Sequence, residues 1–269
     1  MPEATVNGVR LSYQAEGEGD PVLLVCGTGQ PAFSWQLGVA PALLAAGYRV
    51  ITFDNRGVAP SACPPGPYTV AELVADAAGL LEHLGPGPYR VAGHSLGGII
   101  TQELALARPD LVRAAVPMGT LGRVNALARA WIGVRLELAR SGTKLPPPFA
   151  AVTSAMQLLS RAHQLDDEYV GAFLEVMALA PPWVGHGPEG QYAADAAYGE
   201  RLAALGGVRV PCLVIGFADD IVTPPALGRE VAGAIPGGRF VEVPGCGHLG
   251  PIEDPAAVVG LMVEFFAEH

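Results

Sequence analysis

The chain has 269 residues, of which 50% are hydrophobic and 16% are charged, and its formal net charge is -10 at pH 7. This length suits one α/β domain with an insertion, or two small domains. The excess of acidic residues argues against a nucleic-acid partner, because phosphate binding needs clustered Lys and Arg. No run of about 18 apolar residues without breakers occurs, so we expect no membrane span.

The cysteines lie far apart in the sequence and show neither a CxxC pair nor a Cys/His spacing typical of a metal site. They are Cys26, Cys63, Cys212 and Cys246. We expect them to be buried free thiols in a reducing compartment. The first residues carry neither a basic region nor an apolar core, so the sequence predicts a cytoplasmic protein without a secretory signal.

The first 120 residues alternate strand patterns with helix patterns. Residues 6–15 are predicted to form a hairpin, since Asn7-Gly8 suits a type I′ turn. Residues 21–26 are continuously apolar, as expected of a strand buried on both faces of a sheet. A helix is expected around residues 36–46, followed by a second buried strand at residues 49–53.

The same alternation continues to residue 118. Thr69 and Glu72 form a capping-box pattern, and apolar residues follow at helical spacing as far as Leu84. Residues 89–92 and 112–118 are predicted strands. Strands alternating with helices in this way indicate a mostly parallel, doubly wound sheet with helices on both faces.

Between residues 121 and 205 the strand patterns give way to amphipathic helical segments. A strand pattern returns at residues 212–217, and Thr223-Pro224 is predicted to open a helix as N-cap and first helical residue. We therefore predict a sheet domain formed by residues 1–120 and 206–269. The inserted residues 121–205, called the cap below, are predicted to form a helical cap.

Ser95 lies in the pattern Gly93-x-Ser95-x-Gly97, after a predicted strand and before an apolar helical segment. A serine on such a sharp turn holds its hydroxyl clear of the backbone. The N-terminus of the following helix favours an anion beside it. Because the chain holds 35 glycines, a pattern of this kind can also occur by chance. A nucleophile needs a base, an acid and oxyanion donors as well.

His248 follows the last predicted strand, at residues 240–243, and an Asp pair follows the strand at residues 212–217. Loops that leave the carboxyl ends of parallel strands converge on one edge of the sheet, where Ser95 also lies. His248 is therefore the candidate base. Asp219 is the preferred carboxylate to orient it, while Asp220 is expected to stabilise the turn.

Two backbone N–H groups are the candidate oxyanion donors. One belongs to Leu96, the residue after the candidate nucleophile. The other belongs to Thr28, in the Gly27-Thr28-Gly29 turn after the strand at residues 21–26.

Taken together, these motifs resemble the α/β-hydrolase fold family over essentially the whole chain. The resemblance rests on GHSLGG, the glycine turn, FDNRG, GFADDIV and GCGH, in the family's order of Ser, Asp and His. It implies that Ser95 is the nucleophile, Asp219 the acid and His248 the base, with Thr28 and Leu96 forming the oxyanion hole. Cys26 is a departure, since many members carry His before the glycine turn.

The activity that the resemblance implies is hydrolysis of an ester, thioester or lactone through an acyl-enzyme, without metal or organic cofactor. A mainly apolar small molecule is the expected substrate. Members with an Asp nucleophile are disfavoured because the turn carries Ser95. Non-hydrolytic chemistry on the same fold stays an alternative: acyl transfer, cyclisation, perhydrolysis or a lyase step in natural-product metabolism.

A dinucleotide-binding oxidoreductase is a remote alternative. Gly27-x-Gly29-x-x-Ala32 follows a strand, and Asp54 ends the next strand, as such a site requires. Pro31, however, stands where the helix should open, and this alternative leaves Ser95 and His248 unexplained.

Two tryptophans of the cap are candidate substrate-binding residues. Trp131 lies on the apolar face of a predicted helix, where plain packing is the competing interpretation. Trp183 lies in a proline-rich loop, and loops of this kind often carry function.

Overall fold

The structure, a computed structural model, describes residues 1–179, 183 and 185–269. Its strands form one eight-stranded sheet in the order β1-β2-β4-β3-β5-β6-β7-β8. The strands are β1 (Glu3–Val6), β2 (Val9–Glu16), β3 (Pro21–Val25), β4 (Arg49–Phe53), β5 (Tyr89–His94), β6 (Val112–Met118), β7 (Leu213–Phe217) and β8 (Arg239–Val243).

The sheet is antiparallel only at one edge. β1 and β2 form the predicted hairpin, whose turn residues Asn7 and Gly8 have φ values of 47° and 73°. β2 is also antiparallel to β4, whereas the pairs from β4 to β8 are parallel. This confirms the mostly parallel sheet, and it brings the carboxyl ends of β3, β5, β7 and β8 to one edge.

Helices fill the connections between the parallel strands. They are α1 (Val39–Ala45), α2 (Val70–Leu84), α3 (Leu96–Ala107), α4 (Ala126–Ser141), α5 (Pro147–Leu158), α6 (Arg161–Gln164), α7 (Asp167–Leu179), α8 (Gly187–Ala197), α9 (Leu202–Leu205), α10 (Pro225–Ala234), α11 (Gly250–Glu253) and α12 (Pro255–Glu268). None of these helices is long and apolar enough to cross a membrane.

Two of the helix predictions can be compared in detail. The capping box at the start of α2 is present, with Thr69 and Glu72 bonding each other's backbone N–H groups. The single helix predicted at residues 36–46 is instead a 3-10 helix, Ala32–Leu37, followed by α1. Gly38, with φ of 165° and ψ of -55°, has a non-helical backbone and separates the two.

The sheet lies between two hydrophobic cores, and β3 contributes to both. Leu23 and Val25 pack into the core under α2 and α3, whereas Val22 and Leu24 pack into the core under α1 and α12. All four side chains are fully buried. A strand buried on both faces needs an unbroken apolar run because neighbouring side chains point to opposite faces.

The described part of the cap is helical, from α4 to α9, and lies between β6 and β7. Its first residues, Leu121 and Val124, pack with Ile99 of α3 and with Leu227 of α10. α4 and α7 contain no fully buried residue. The division into a sheet domain and a cap stays a prediction.

Candidate active site

Ser95 lies at the turn between β5 and α3 with φ of 58° and ψ of -121°. Positive φ is rare for a residue with a side chain, and it persists only where the surroundings impose it. The Ser95 N–H donates to the carbonyl of Met118 at 2.9 Å, which fixes the turn to the neighbouring strand. The Ser95 hydroxyl makes no capping hydrogen bond to the N–H groups at the start of α3.

Glycines allow this turn to pack directly against the end of β3. A Cβ atom at Gly93 would lie 2.1 Å from the carbonyl oxygen of Gly97, and one at Gly97 would lie 2.1 Å from that of Val25. A Cβ atom at Gly27 would lie 3.1 Å from the Ser95 Cβ. The loop after β3 therefore lies beside Ser95, as the sequence predicts.

His248 is buried in the loop after β8 and pairs with Asp220 in the loop after β7. Its Nδ1 lies 2.7 Å from Oδ2 of Asp220. The Thr223 hydroxyl donates to the same Oδ2 at 2.7 Å and lies 3.3 Å from His248 Nδ1. The imidazole is therefore held by a buried, fully bonded carboxylate.

The prediction that Asp219 pairs with His248 is wrong. Asp219 is half-buried, and its Oδ2 accepts from the N–H of Arg161, at the start of α6, at 3.3 Å. Asp220 instead uses both oxygens: Oδ1 accepts from the N–H groups of Val222 and Thr223 at 2.8 Å, while Oδ2 faces His248. One carboxylate thus makes the turn and orients the imidazole, two tasks that the sequence analysis gave to different residues.

The same loop corrects the predicted start of the next helix. Thr223 does not cap it, because its hydroxyl donates to Asp220. α10 begins at Pro225 and has no side-chain cap.

The environment of Asp220 keeps its carboxyl group ionised. Burial by itself would raise the pKa of Asp220, but the neighbouring His248 and the hydrogen bonds from His248 and Thr223 outweigh it, so the pKa lies below its ordinary value. An ionised carboxylate is the form that stabilises an imidazolium.

His94, just before Ser95, joins the turn to the His248 loop. Its Nε2 lies 2.7 Å from the carbonyl oxygen of His248, and the two rings are 4.7 Å apart between centroids. Burial, aided by the charge of His248, lowers the pKa of His94 to about 3. A neutral His94 therefore donates to the His248 carbonyl. Among the described residues, no hydrogen bond joins the side chains of Ser95 and His248.

In the loop after β3, the N–H groups of three consecutive residues differ in whether they have a partner among the described residues. Gly27 donates to Oε1 of Gln30 at 3.2 Å, and Gly29 donates to Oε1 of Gln191 at 2.7 Å. The N–H of Thr28, between them, has no partner within the described ranges, and neither has the N–H of Leu96 at the start of α3. These are the two N–H groups predicted as oxyanion donors.

Two residues of α8 reach this loop that the sequence analysis did not identify. Gln191 bonds Gly29, and Oδ2 of Asp195 accepts from the Thr28 hydroxyl at 2.8 Å. The pairs are separated by 162 and 167 positions in the sequence. No local pattern in the sequence marks such contacts, because they depend on how the cap packs on the sheet.

The two predicted tryptophans make different contacts. Trp183 Nε1 donates to the carbonyl of Gly57 at 2.7 Å, and its ring lies so close to Gly29 that a Cβ atom there would be 2.7 Å from it. Trp131 contacts Arg135, whose guanidinium lies 5.0 Å from its ring centroid. Trp183 therefore covers the loop, whereas the aromatic contact of Trp131 is with Arg135 of the same helix, α4.

The environment of Asp54 argues against the dinucleotide alternative. Its Oδ1 accepts from the N–H of Ala32 at 2.8 Å, and its side chain is buried, so no carboxylate is free to bond a ribose. The loop is followed by a 3-10 helix and not by an α-helix whose N-terminus could hold a pyrophosphate.

The cysteines are unpaired, as the sequence predicts. Cys26, Cys212 and Cys246 are buried, whereas Cys63 is only half-buried, so the predicted burial is wrong for Cys63. Burial raises the pKa of the Cys26 thiol to about 12, which removes its reactivity at neutral pH. Within the described residues, no cluster of three or more His, Cys, Asp or Glu side chains could hold a metal ion.

Comparison with known proteins agrees with this fold. A family model described as alpha/beta hydrolase fold matches residues 20–255. The chain therefore belongs to the α/β-hydrolase fold family, and it is a member of an enzyme family.

Similar proteins come from several bacteria. The chain is 42% identical over 260 residues to a Mycobacterium tuberculosis protein named as a non-heme bromoperoxidase, BpoC, covering 96% of this chain and 98% of the relative. The crystal structure of that protein matches with a TM-score of 0.92 and covers 96% of each chain.

Two further relatives carry the names of hydrolases. Rhodomycin D methylesterase DnrP of Streptomyces peucetius is 30% identical over 281 residues, with 94% of each chain covered. The enol-lactonase of Burkholderia xenovorans LB400 is 28% identical, with a TM-score of 0.85, and the match covers 99% of this chain and 100% of that structure.

Proposed function

We propose that the protein is a serine hydrolase that cleaves an ester, thioester or lactone bond of a mainly apolar small molecule. The observation that carries the proposal is the buried pair of Asp220 and His248, which His94 joins to the strained turn of Ser95. The methylesterase and lactonase names of two relatives agree with this class of bond. We also infer that residues 121–205 act as a cap over this site.

In the proposed reaction, Ser95 Oγ attacks the substrate carbonyl while His248 Nε2 takes its proton. Asp220 holds Nδ1–H and stabilises the imidazolium. His248 then passes the proton to the leaving oxygen or sulfur, which departs as alcohol or thiol and leaves an acyl-Ser95 ester. Water, deprotonated by His248, attacks this ester, releases the acid and restores the Ser95 hydroxyl.

The N–H groups of Thr28 and Leu96 would bind the oxyanion formed in both steps. Each has no other partner among the described residues, and the Leu96 group belongs to the positive end of α3. Donors fixed in place before reaction stabilise developing charge without reorganisation.

The proposal is tested by intact-mass measurement after incubation with a fluorophosphonate probe. We expect one adduct on the wild-type protein, none on Ser95→Ala, and labelling slowed by about 10³-fold or more in His248→Ala, because only an activated serine reacts rapidly. An adduct that persists in Ser95→Ala, or folded wild-type protein that does not react, would contradict the proposal.

Perhydrolysis is the second candidate, because the 42% identical relative is named as a bromoperoxidase. Here hydrogen peroxide replaces water in attacking acyl-Ser95, which gives a peracid and the free hydroxyl. The peracid then oxidises bromide to hypobromous acid and returns to the carboxylic acid. The same Ser95, His248 and oxyanion donors serve both reactions.

This candidate predicts bromination of phenol red in the presence of an acetate ester, hydrogen peroxide and bromide. We expect the rate to depend on both the ester and Ser95, since the oxidant is made from the acyl-enzyme. Ser95→Ala is the matched control. A bromination rate equal to that of peroxide and bromide alone would contradict perhydrolysis without contradicting hydrolysis.

A further inference from the structure

The cap helix α8 contacts the loop that carries the proposed oxyanion donor. Gln191 and Asp195 lie one helical turn apart, so their side chains project from the same face of α8. Both reach residues 27–30, where Gln191 bonds Gly29 and Asp195 bonds Thr28.

Gln191 has all the features of a fixed bridge. It is fully buried, its Oε1 accepts from the Gly29 N–H at 2.7 Å, and its Nε2 donates to the carbonyl of Arg56 at 2.8 Å. It therefore connects the loop after β3 to the loop after β4. Because both ends of its amide are used, the side chain has one orientation.

Asp195 is a carboxyl group in an unfavourable place for a charge. Among the described side chains, the Thr28 hydroxyl is the group that donates a hydrogen bond to the Asp195 carboxyl group, at 2.8 Å. Burial raises the pKa of Asp195 to about 7. A carboxyl group that is costly to bury, and that touches the residue between two glycines of a catalytic loop, points to a role in that loop.

Trp183 closes the same loop from another side. Its ring lies on Gly29 and its Nε1 donates to the carbonyl of Gly57. The loop is thus held between the turn of Ser95 below it and side chains of the cap above it.

We propose that Gln191 and Asp195 are positioning residues of the oxyanion site, which fix the Gly27–Gln30 loop so that the Thr28 N–H faces the reacting carbonyl. This inference rests on the proposed serine hydrolysis. Its consequence is that the sheet domain alone does not complete the oxyanion site. α8 of the cap must be docked for the transition state to be stabilised.

The test compares kcat and KM for p-nitrophenyl butyrate, and the rate of fluorophosphonate labelling, in a set of variants. Asp195→Ala and Gln191→Ala remove the contacts, Asp195→Asn keeps an acceptor for Thr28, and Thr28→Val removes the hydroxyl but keeps the N–H. We expect each loss of contact to lower kcat and the labelling rate by about tenfold or more, since oxyanion donors are sensitive to displacement.

The split between kcat and KM separates positioning from simple packing. KM should stay within about twofold, because the substrate ground state gains little from the oxyanion donors. Asp195→Asn should recover to within about threefold of the wild-type kcat, since its amide oxygen accepts the same hydrogen bond. Thr28→Val and Asp195→Ala should be non-additive when combined, because they remove one contact.

Tyr198→Phe is the matched control. Tyr198 follows α8 and is buried, and its hydroxyl donates to Glu103 at 2.9 Å and accepts from Gln102 at 2.8 Å, both on α3. This variant loses buried hydrogen bonds without touching the loop. It should lower the melting temperature and leave kcat within about twofold.

The outcomes distinguish this inference from the proposed function. Wild-type kcat in folded Gln191→Ala and Asp195→Ala, or an equal loss in Tyr198→Phe, would overturn it even if Ser95 is the nucleophile. If the wild-type protein does not react with the probe and its esterase activity does not depend on Ser95, both proposals fail together. If the alanine variants do not fold, Thr28→Val and Asp195→Asn still test the inference. A wild-type kcat in Thr28→Val would contradict it.

Discussion

Replacing Asp220 with asparagine is expected to lower kcat for ester hydrolysis by about 10⁴-fold, whereas Asp219→Asn should change it by no more than about threefold. The asparagine amide can still accept from Val222 and Thr223 with its oxygen, but it then turns its NH₂ group toward His248 Nδ1. His248 must adopt the tautomer with Nε2 protonated, which cannot take a proton from Ser95.

The pair of variants is its own control, because the two residues are adjacent and each loses one negative charge. Steady-state kinetics with a p-nitrophenyl ester measures the effect, and the melting temperature shows that each variant is folded. A larger loss in Asp219→Asn than in Asp220→Asn would show that the loop rearranges during catalysis and that Asp219 serves His248 after all.

The second large effect is expected in stability. Gly97→Ala should lower the free energy of unfolding by about 3 kcal/mol or more, because the new Cβ atom would meet backbone atoms, which cannot move aside as a side chain can. The carbonyl oxygen of Val25 would be 2.1 Å away and that of Cys26 2.8 Å away. Urea unfolding followed by circular dichroism measures the change.

Gly260→Ala in α12 provides the comparison. Gly260 is exposed and helical, and a Cβ atom there would meet nothing within 4 Å. We expect this variant to gain about 0.5 to 1 kcal/mol from the better helix propensity of alanine. If Gly97→Ala unfolded at the same urea concentration as the wild-type protein, the close packing of the Ser95 turn on β3 would be contradicted.

The fold was predictable because its signals are local. The apolar run of β3, the Asn7-Gly8 turn and the capping box of α2 each follow from a few neighbouring residues. The turn at Ser95 is also predicted from neighbouring residues, because glycines surround it, and Ser95 has a positive φ. The prediction of His248 rests on its position after the last strand, since the loops that follow parallel strands meet at one edge of the sheet.

The choice between Asp219 and Asp220 could not be made from the sequence. Alternate residues of a loop have no fixed direction, unlike those of a strand. The deciding contacts are long-range ones, from Asp220 to His248 and from Asp219 to the N–H of Arg161. The contacts of Gln191 and Asp195 with the Gly27–Gln30 loop also could not be predicted, because periodicity defines the face of α8 and not the partner of that face.

The use of both oxygens of Asp220 has a consequence for changing this enzyme by loop exchange. The Asp220–Thr223 turn and the orientation of His248 share one carboxylate. A grafted segment that is one residue longer or shorter would form its own turn, and its carboxylate would no longer bond the imidazole of His248. Loops after β7 are therefore interchangeable only as units that carry the aspartate, the threonine and their spacing together.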